Sequence, residues 1–91
     1  MNKPPLRAAS FPHMQAFLDQ TRGQIAIGEI PPIRRAAYAA KGKKIRVGLV
    51  AREDETVAQL LERLDAALGK AITEDCVIDE VLPEIKRQRS R

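Results

Sequence analysis

The chain has 91 residues, with 16 lysines and arginines against 12 aspartates and glutamates, a formal charge of +4 at neutral pH. That length supports one domain around one modest core, and the single cysteine, Cys76, excludes an internal disulfide and suits a reducing compartment. The opening MNKPPLRAAS has no apolar run of the secretory kind and no stretch is apolar enough to span a bilayer, so a cytoplasmic protein without a membrane partner is expected.

Residues 1–9 contain Pro4 and Pro5 and no periodicity, and read as a flexible arm. Ser10 is a candidate N-cap, with Pro12 tolerated in the first helical turn. Phe11, Met14, Phe17 and Leu18 then share a face, and Gly23 offers a stop, which predicts a helix over 11–22. QIAIGEI at 24–30 alternates briefly and predicts a short edge strand, closed by Pro31 and Pro32. In IRRAAYAAKG, Ile33, Ala36, Ala37 and Ala40 lie on one helical face, alanine favours helix, and Gly42 can cap the end. A helix is expected at 33–41.

The stretch from Lys44 to Ile72 carries the strongest pattern. Ile45, Val47, Leu49 and Ala51 alternate with Arg46, Gly48, Val50 and Arg52, which predicts a strand over 44–51 with one buried face and room for a bulge at Gly48. Val57, Leu60, Leu61, Leu64, Leu68 and Ile72 recur at steps of three and four, which predicts an amphipathic helix over 54–71 capped by Asp54. Residues 73–82 fit either a second helix capped by Thr73 or a short extended piece at Cys76–Ile78. Pro83 should end or bend any helix there. KRQRSR reads as solvated chain. The fold expected is a small α/β domain over 10–84, with a central strand, a long amphipathic helix and two shorter helices, followed by a basic disordered tail at 85–91.

Charge is segregated along the chain. Arg34, Arg35, Lys41, Lys43, Lys44 and Arg46 follow one another with no acid between them, whereas residues 53–84 hold ten acids against Arg63 and Lys70. A basic cluster attracts phosphate, or pairs with the acidic helix of the same or a second copy. Chemistry is sparse. There is no glycine-rich phosphate loop, CxxC, HExxH or GxSxG. His13 is the only histidine, and Cys76 stands among Glu74, Asp75 and Asp79, which disfavour a thiolate. Asp75, Asp79, Glu80 and Glu84 lack the spacing of a calcium loop. No catalytic residue, metal or cofactor is expected.

In IRVGLVAREDETVAQLLERLDAALGKAITEDCVIDEVL, a basic strand precedes a helix containing LLERLDAA, then a glycine and a further apolar segment. Over residues 43–82 this resembles the ribbon-helix-helix family of bacterial repressors and antitoxins. The resemblance implies a homodimer whose paired strands enter the major groove of duplex DNA, with Arg46, Gly48, Val50 and Arg52 outward and Thr73 near phosphate. Lys43, Lys44, Arg46 and Arg52 are the expected DNA-binding residues. The alternative is a protein-interaction module that does not bind nucleic acid.

Overall fold

The computed structural model describes residues 11–89. In chain order these form helix α1 (Pro12–Thr21), strands β1 (Gln24–Ile30), β2 (Ile33–Lys41) and β3 (Lys44–Val50), helix α2 (Val57–Glu74), strand β4 (Ile78–Asp79) and helix α3 (Val81–Arg89). The sheet order is β1-β2-β3-β4, antiparallel across the first three strands and parallel between β3 and β4. The described residues therefore make a small α/β domain of three helices on a mixed sheet. The expected arm at 1–9 and the candidate cap Ser10 lie outside the described residues.

Helices α1 and α2 cover one face of the sheet. Leu60, Leu64 and Leu68 pack there with Phe17, Ala37, Ala39, Val47 and Leu49. Each large side chain buried in this cluster contributes about 1.5–3 kcal/mol. The predicted stripe on α2 is narrower than expected, because Val57 and Ile72 at its two ends remain about half exposed. Helix α3 lies on the opposite face, where Val81 and Ile85 meet Ile33, Ala36 and Val50. The sheet is thus sandwiched, and β3 is buried on both faces rather than one.

The segment 33–41 is a strand, which corrects the helix expected there. Pairing decides it: β2 is bonded to β1 on one side and β3 on the other. Ala36 faces the α3 layer, while Ala37 and Ala39 face the α2 layer. Small side chains on both faces let the two helical layers approach, and the ladder outweighs a helix preference of at most about 1 kcal/mol per residue. The helix start expected at Asp54 is also corrected. Thr56 is the N-cap, and its hydroxyl accepts from the Gln59 amide while the Gln59 side chain accepts from the Thr56 amide, so two free donors are satisfied reciprocally. Helix α1 has no side-chain cap of its own from Phe11. Instead the buried carboxylate of Asp65, on α2, accepts from the Met14 amide at 2.8 Å, placing negative charge at the positive end of the α1 dipole.

The ambiguous segment after α2 is extended and then helical. Ile78 and Asp79 pair with Val47 and Gly48, and α3 follows at once. Pro83 does not end this helix, because it sits in the first turn, where no helical donor is needed. Asp79 Oδ1 caps the turn by accepting from the Val81 and Leu82 amides. The basic segment expected to be a disordered tail is helical as far as Arg89.

Candidate nucleic-acid interface

The β2–β3 hairpin builds a basic end of the molecule. Its turn, at Gly42 and Lys43, uses the left-handed backbone of Gly42 (φ 61°), a conformation that costs glycine little. Lys41, Lys43 and Lys44 project from it, all exposed. Arg22, the left-handed C-cap of α1, borders the same hollow as Lys41, Lys43 and Lys44. Among the described residues no ion pair neutralises these four cations.

Arg46 stands behind them. The register of β3 slips at this residue: Val47 pairs with Ala39 and Ile45 with Ala40, leaving Arg46 as the extra residue of a bulge. The bulge breaks the period-two alternation. It turns Arg46 toward the α2 layer, away from the face that strict alternation gives it. Its guanidinium donates to the Ala71 carbonyl at 3.3 Å, at the negative end of α2, and lies 3.9 Å from the exposed Asp75 carboxylate. Its Nε–H is buried without a partner.

Arg52 does not join this group. It follows β3 at the opposite end of the strand, and eight residues of extended chain at about 3.3 Å each put it roughly 25 Å from Lys44. There its backbone amide donates to Glu55. Gly48 and Val50, expected to face outward, are covered by α3. A Cβ on Gly48 would lie 3.1 Å from Asp79 Oδ1 and from Val81 Cγ2, and Val50 packs on the second core cluster. The β3 edge away from β2 is occupied within the chain by β4, by the Glu80 amide bonding Gly48 and by the Glu80 carboxylate bonding the Val50 amide. An intermolecular ribbon along 47–50, implied by the ribbon-helix-helix resemblance, therefore has no free edge here. Thr73 lies in the last turn of α2 rather than at the start of another helix.

Several acids of the second half hold the fold. Glu55 accepts two hydrogen bonds from Arg63, whose guanidinium also reaches Glu80 and the Val50 carbonyl. Hydrogen bonding from Arg63 is the main reason the Glu55 pKa falls from 4.5 to about 2. Glu84, bonded to Arg87 and Gln88, is likewise lowered to about 2. With Asp79 on its cap and Glu80 on Arg63, the sequence's acid cluster is dispersed among structural partners, and among the described residues no group of three or more His, Cys, Asp or Glu is placed to hold a metal. Cys76 is free and half-buried. No helix among the described residues is long and apolar enough to cross a membrane.

The sequence run identifies Lys43, Lys44 and Lys41 but misses Arg22, which follows no basic pattern and reaches the hairpin only because α1 docks beside it. Comparison with protein-family models, with curated proteins and with solved structures returned no significant match, so the functional reading rests on this arrangement of charge.

Proposed function

We propose that this chain is a non-enzymatic cytoplasmic binding protein that holds duplex DNA through the backbone phosphates, using Arg22, Lys41, Lys43 and Lys44 at the hairpin end. The observation carrying this reading is the convergence of four exposed cations, from two separate elements, with no ion pair to neutralise them among the described residues. Arg46 supports the hairpin from behind, and Arg52 lies outside the surface. Four phosphate contacts give a salt slope of about −3.6, so affinity should fall roughly a hundredfold between about 50 and 200 mM salt. Mobility-shift titrations test this. Lys41→Glu with Lys43→Glu should abolish the shift at low salt, whereas Arg52→Glu should leave it within about twofold. A parental chain that fails to shift DNA at micromolar concentration and low salt would overturn the proposal.

A second reading, self-association, is favoured by the outer edge of β1, which pairs with no other strand among the described residues. Beside it Ile27 and Val57 are 45% and 55% exposed and, with Leu60, border an apolar cleft. The edge carries one charge, Glu29, and a register irregularity between Gly28 and Ile30, which leave residues 24–27 as the stretch able to pair. Two copies joined along β1 would form a continuous sheet. Light scattering on the parent and on Ile27→Lys tests it: a parental dimer that the substitution converts to monomer is the expected result, and a parent that is monomeric at all concentrations refutes it.

A further inference from the structure

Beside the hairpin lies a half-open groove of about 540 Å³, between α1, the last turns of α2 and the start of β3. Its volume is in the range of small-ligand sites. Lys41, Lys44 and Arg46 line the hairpin side, and Ala16, Phe17 and Ile72 give it an apolar floor. His13 stands on the α1 wall. Gly69 lets it do so, since a Cβ there would fall 2.7 Å from the imidazole. Thr73 and Gln20 add neutral polar groups.

The charge inside the groove is unbalanced. Three cations face one acid, Asp75, whose side chain is 96% exposed and 3.9 Å from Arg46. The carbonyl end of α2 would ordinarily repel an anion here, but two of its last four carbonyls are engaged. Ala71 O accepts from the Cys76 amide and Arg46, and Ile72 O accepts from the Asp75 amide. An apolar floor keeps water back on one side and strengthens the field of the three cations on the other. The rod-like backbone of a duplex lies across such a recess without filling it. One compact dianion, joined to an organic body that can cover Ile72, fits its shape and charge.

We propose that this groove is a phosphomonoester site, in which Lys41, Lys44 and Arg46 hold the phosphate and the ester's organic part lies over Ile72. The site shares Lys41 and Lys44 with the duplex surface but requires the concavity, whereas duplex binding also requires the outer Lys43. The phosphomonoester has two sources, a free nucleotide or the phosphorylated end of a nucleic-acid strand.

An amide-proton NMR titration of the full chain with inorganic phosphate, adenosine monophosphate and adenosine tests the site. The phosphate and the monophosphate should shift Lys44, Arg46 and Ile72 saturably, the monophosphate binding more tightly, and adenosine should not. Lys44→Gln removes one charge contact and should weaken the monophosphate about tenfold. Lys43→Gln should leave it unchanged while weakening duplex DNA, so the two readings fail separately. A terminally phosphorylated duplex that outcompetes its hydroxyl-ended twin assigns the strand end as the source; equal competition, with monophosphate binding intact, assigns the free nucleotide. The proposal is overturned if shifts do not saturate by about 10 mM monophosphate, or if Lys41→Gln with Lys44→Gln leaves the titration as it was.

Discussion

Replacing Arg63 by alanine removes the one side chain that ties the end of β3 to the loops before α2 and α3. Its guanidinium donates to Glu55 at 2.8 and 2.9 Å, to Glu80 at 3.0 and 3.2 Å and to the Val50 carbonyl at 2.8 Å. The side chain of Glu55 is only 7% exposed, whereas that of Glu80 is 40% exposed. Breaking a buried pair costs about 3–5 kcal/mol and an exposed one about 0–1. Arg63 is itself 19% exposed, so the Glu55 arm lies between these limits and the Glu80 arm toward the second, which gives a loss of about 2–3 kcal/mol for Arg63→Ala at neutral pH. The pH dependence has a definite sign. Folding lowers the Glu55 pKa from 4.5 to about 2, so its contribution is complete above the unfolded value and disappears as pH falls from 4.5 toward 2. The parent should lose stability through that interval, and Arg63→Ala should lose much less, so the two urea midpoints converge in acid. Glu55→Gln closes a double-mutant cycle with Arg63→Ala. A neutral-pH loss below about 0.5 kcal/mol, or an unchanged acid-dependent loss in Arg63→Ala, would refute the assignment.

Three further outcomes follow from packing, each read by thermal or urea unfolding. Gly23→Ala should destabilise by about 1–3 kcal/mol, because the new Cβ overlaps the buried ring of Phe17; Gly69→Ala meets only the exposed His13 ring, which can swing aside, so the helix preference of up to about 1 kcal/mol leaves it neutral or stabilising. Leu64→Asp puts a charge at a fully enclosed position in the main cluster and should leave no cooperative transition. Ala37→Val should cost about 1–3 kcal/mol despite valine's strand preference, because Ala37 is enclosed between the sheet and α2, whereas the same change at half-buried Ala26 should be neutral or better.

Long periodic patterns were legible. The strand from Lys44, the helix over Leu60, Leu64 and Leu68, the helix at 12–21 and the strand at 24–30 all follow from period and punctuation. The strand β2 was hidden because its pairs of alanines, at 36–37 and 39–40, satisfy helical spacing and a strand buried on both faces equally well. Only its neighbours distinguish the two, and they lie on either side of it in the sheet. The presence of α3 on the far face was hidden for a related reason. Val81, Ile85 and Val50 make a second, smaller cluster, but a single valine on the strand's basic side reads as an exception until the helix that covers it is placed.

The site divides along the same line. All its charges but Arg22 are visible in the run from Lys41 to Arg46, since ionic character belongs to the residue itself. Their disposition is not, because one bulge decides it. Without the extra residue at Arg46, alternation would put its guanidinium with Gly48 and Val50, under or beside α3; with it, the side chain reaches the carbonyl end of α2 and lines the groove opposite His13. Gly69, whose missing side chain leaves room for His13, shapes the opposite wall. Lys43 and Lys44 would remain an exposed basic turn if β3 ran without a bulge, so duplex binding would survive straightening it while the phosphomonoester site would not. The two readings therefore differ in what they require of the backbone, although they share cations.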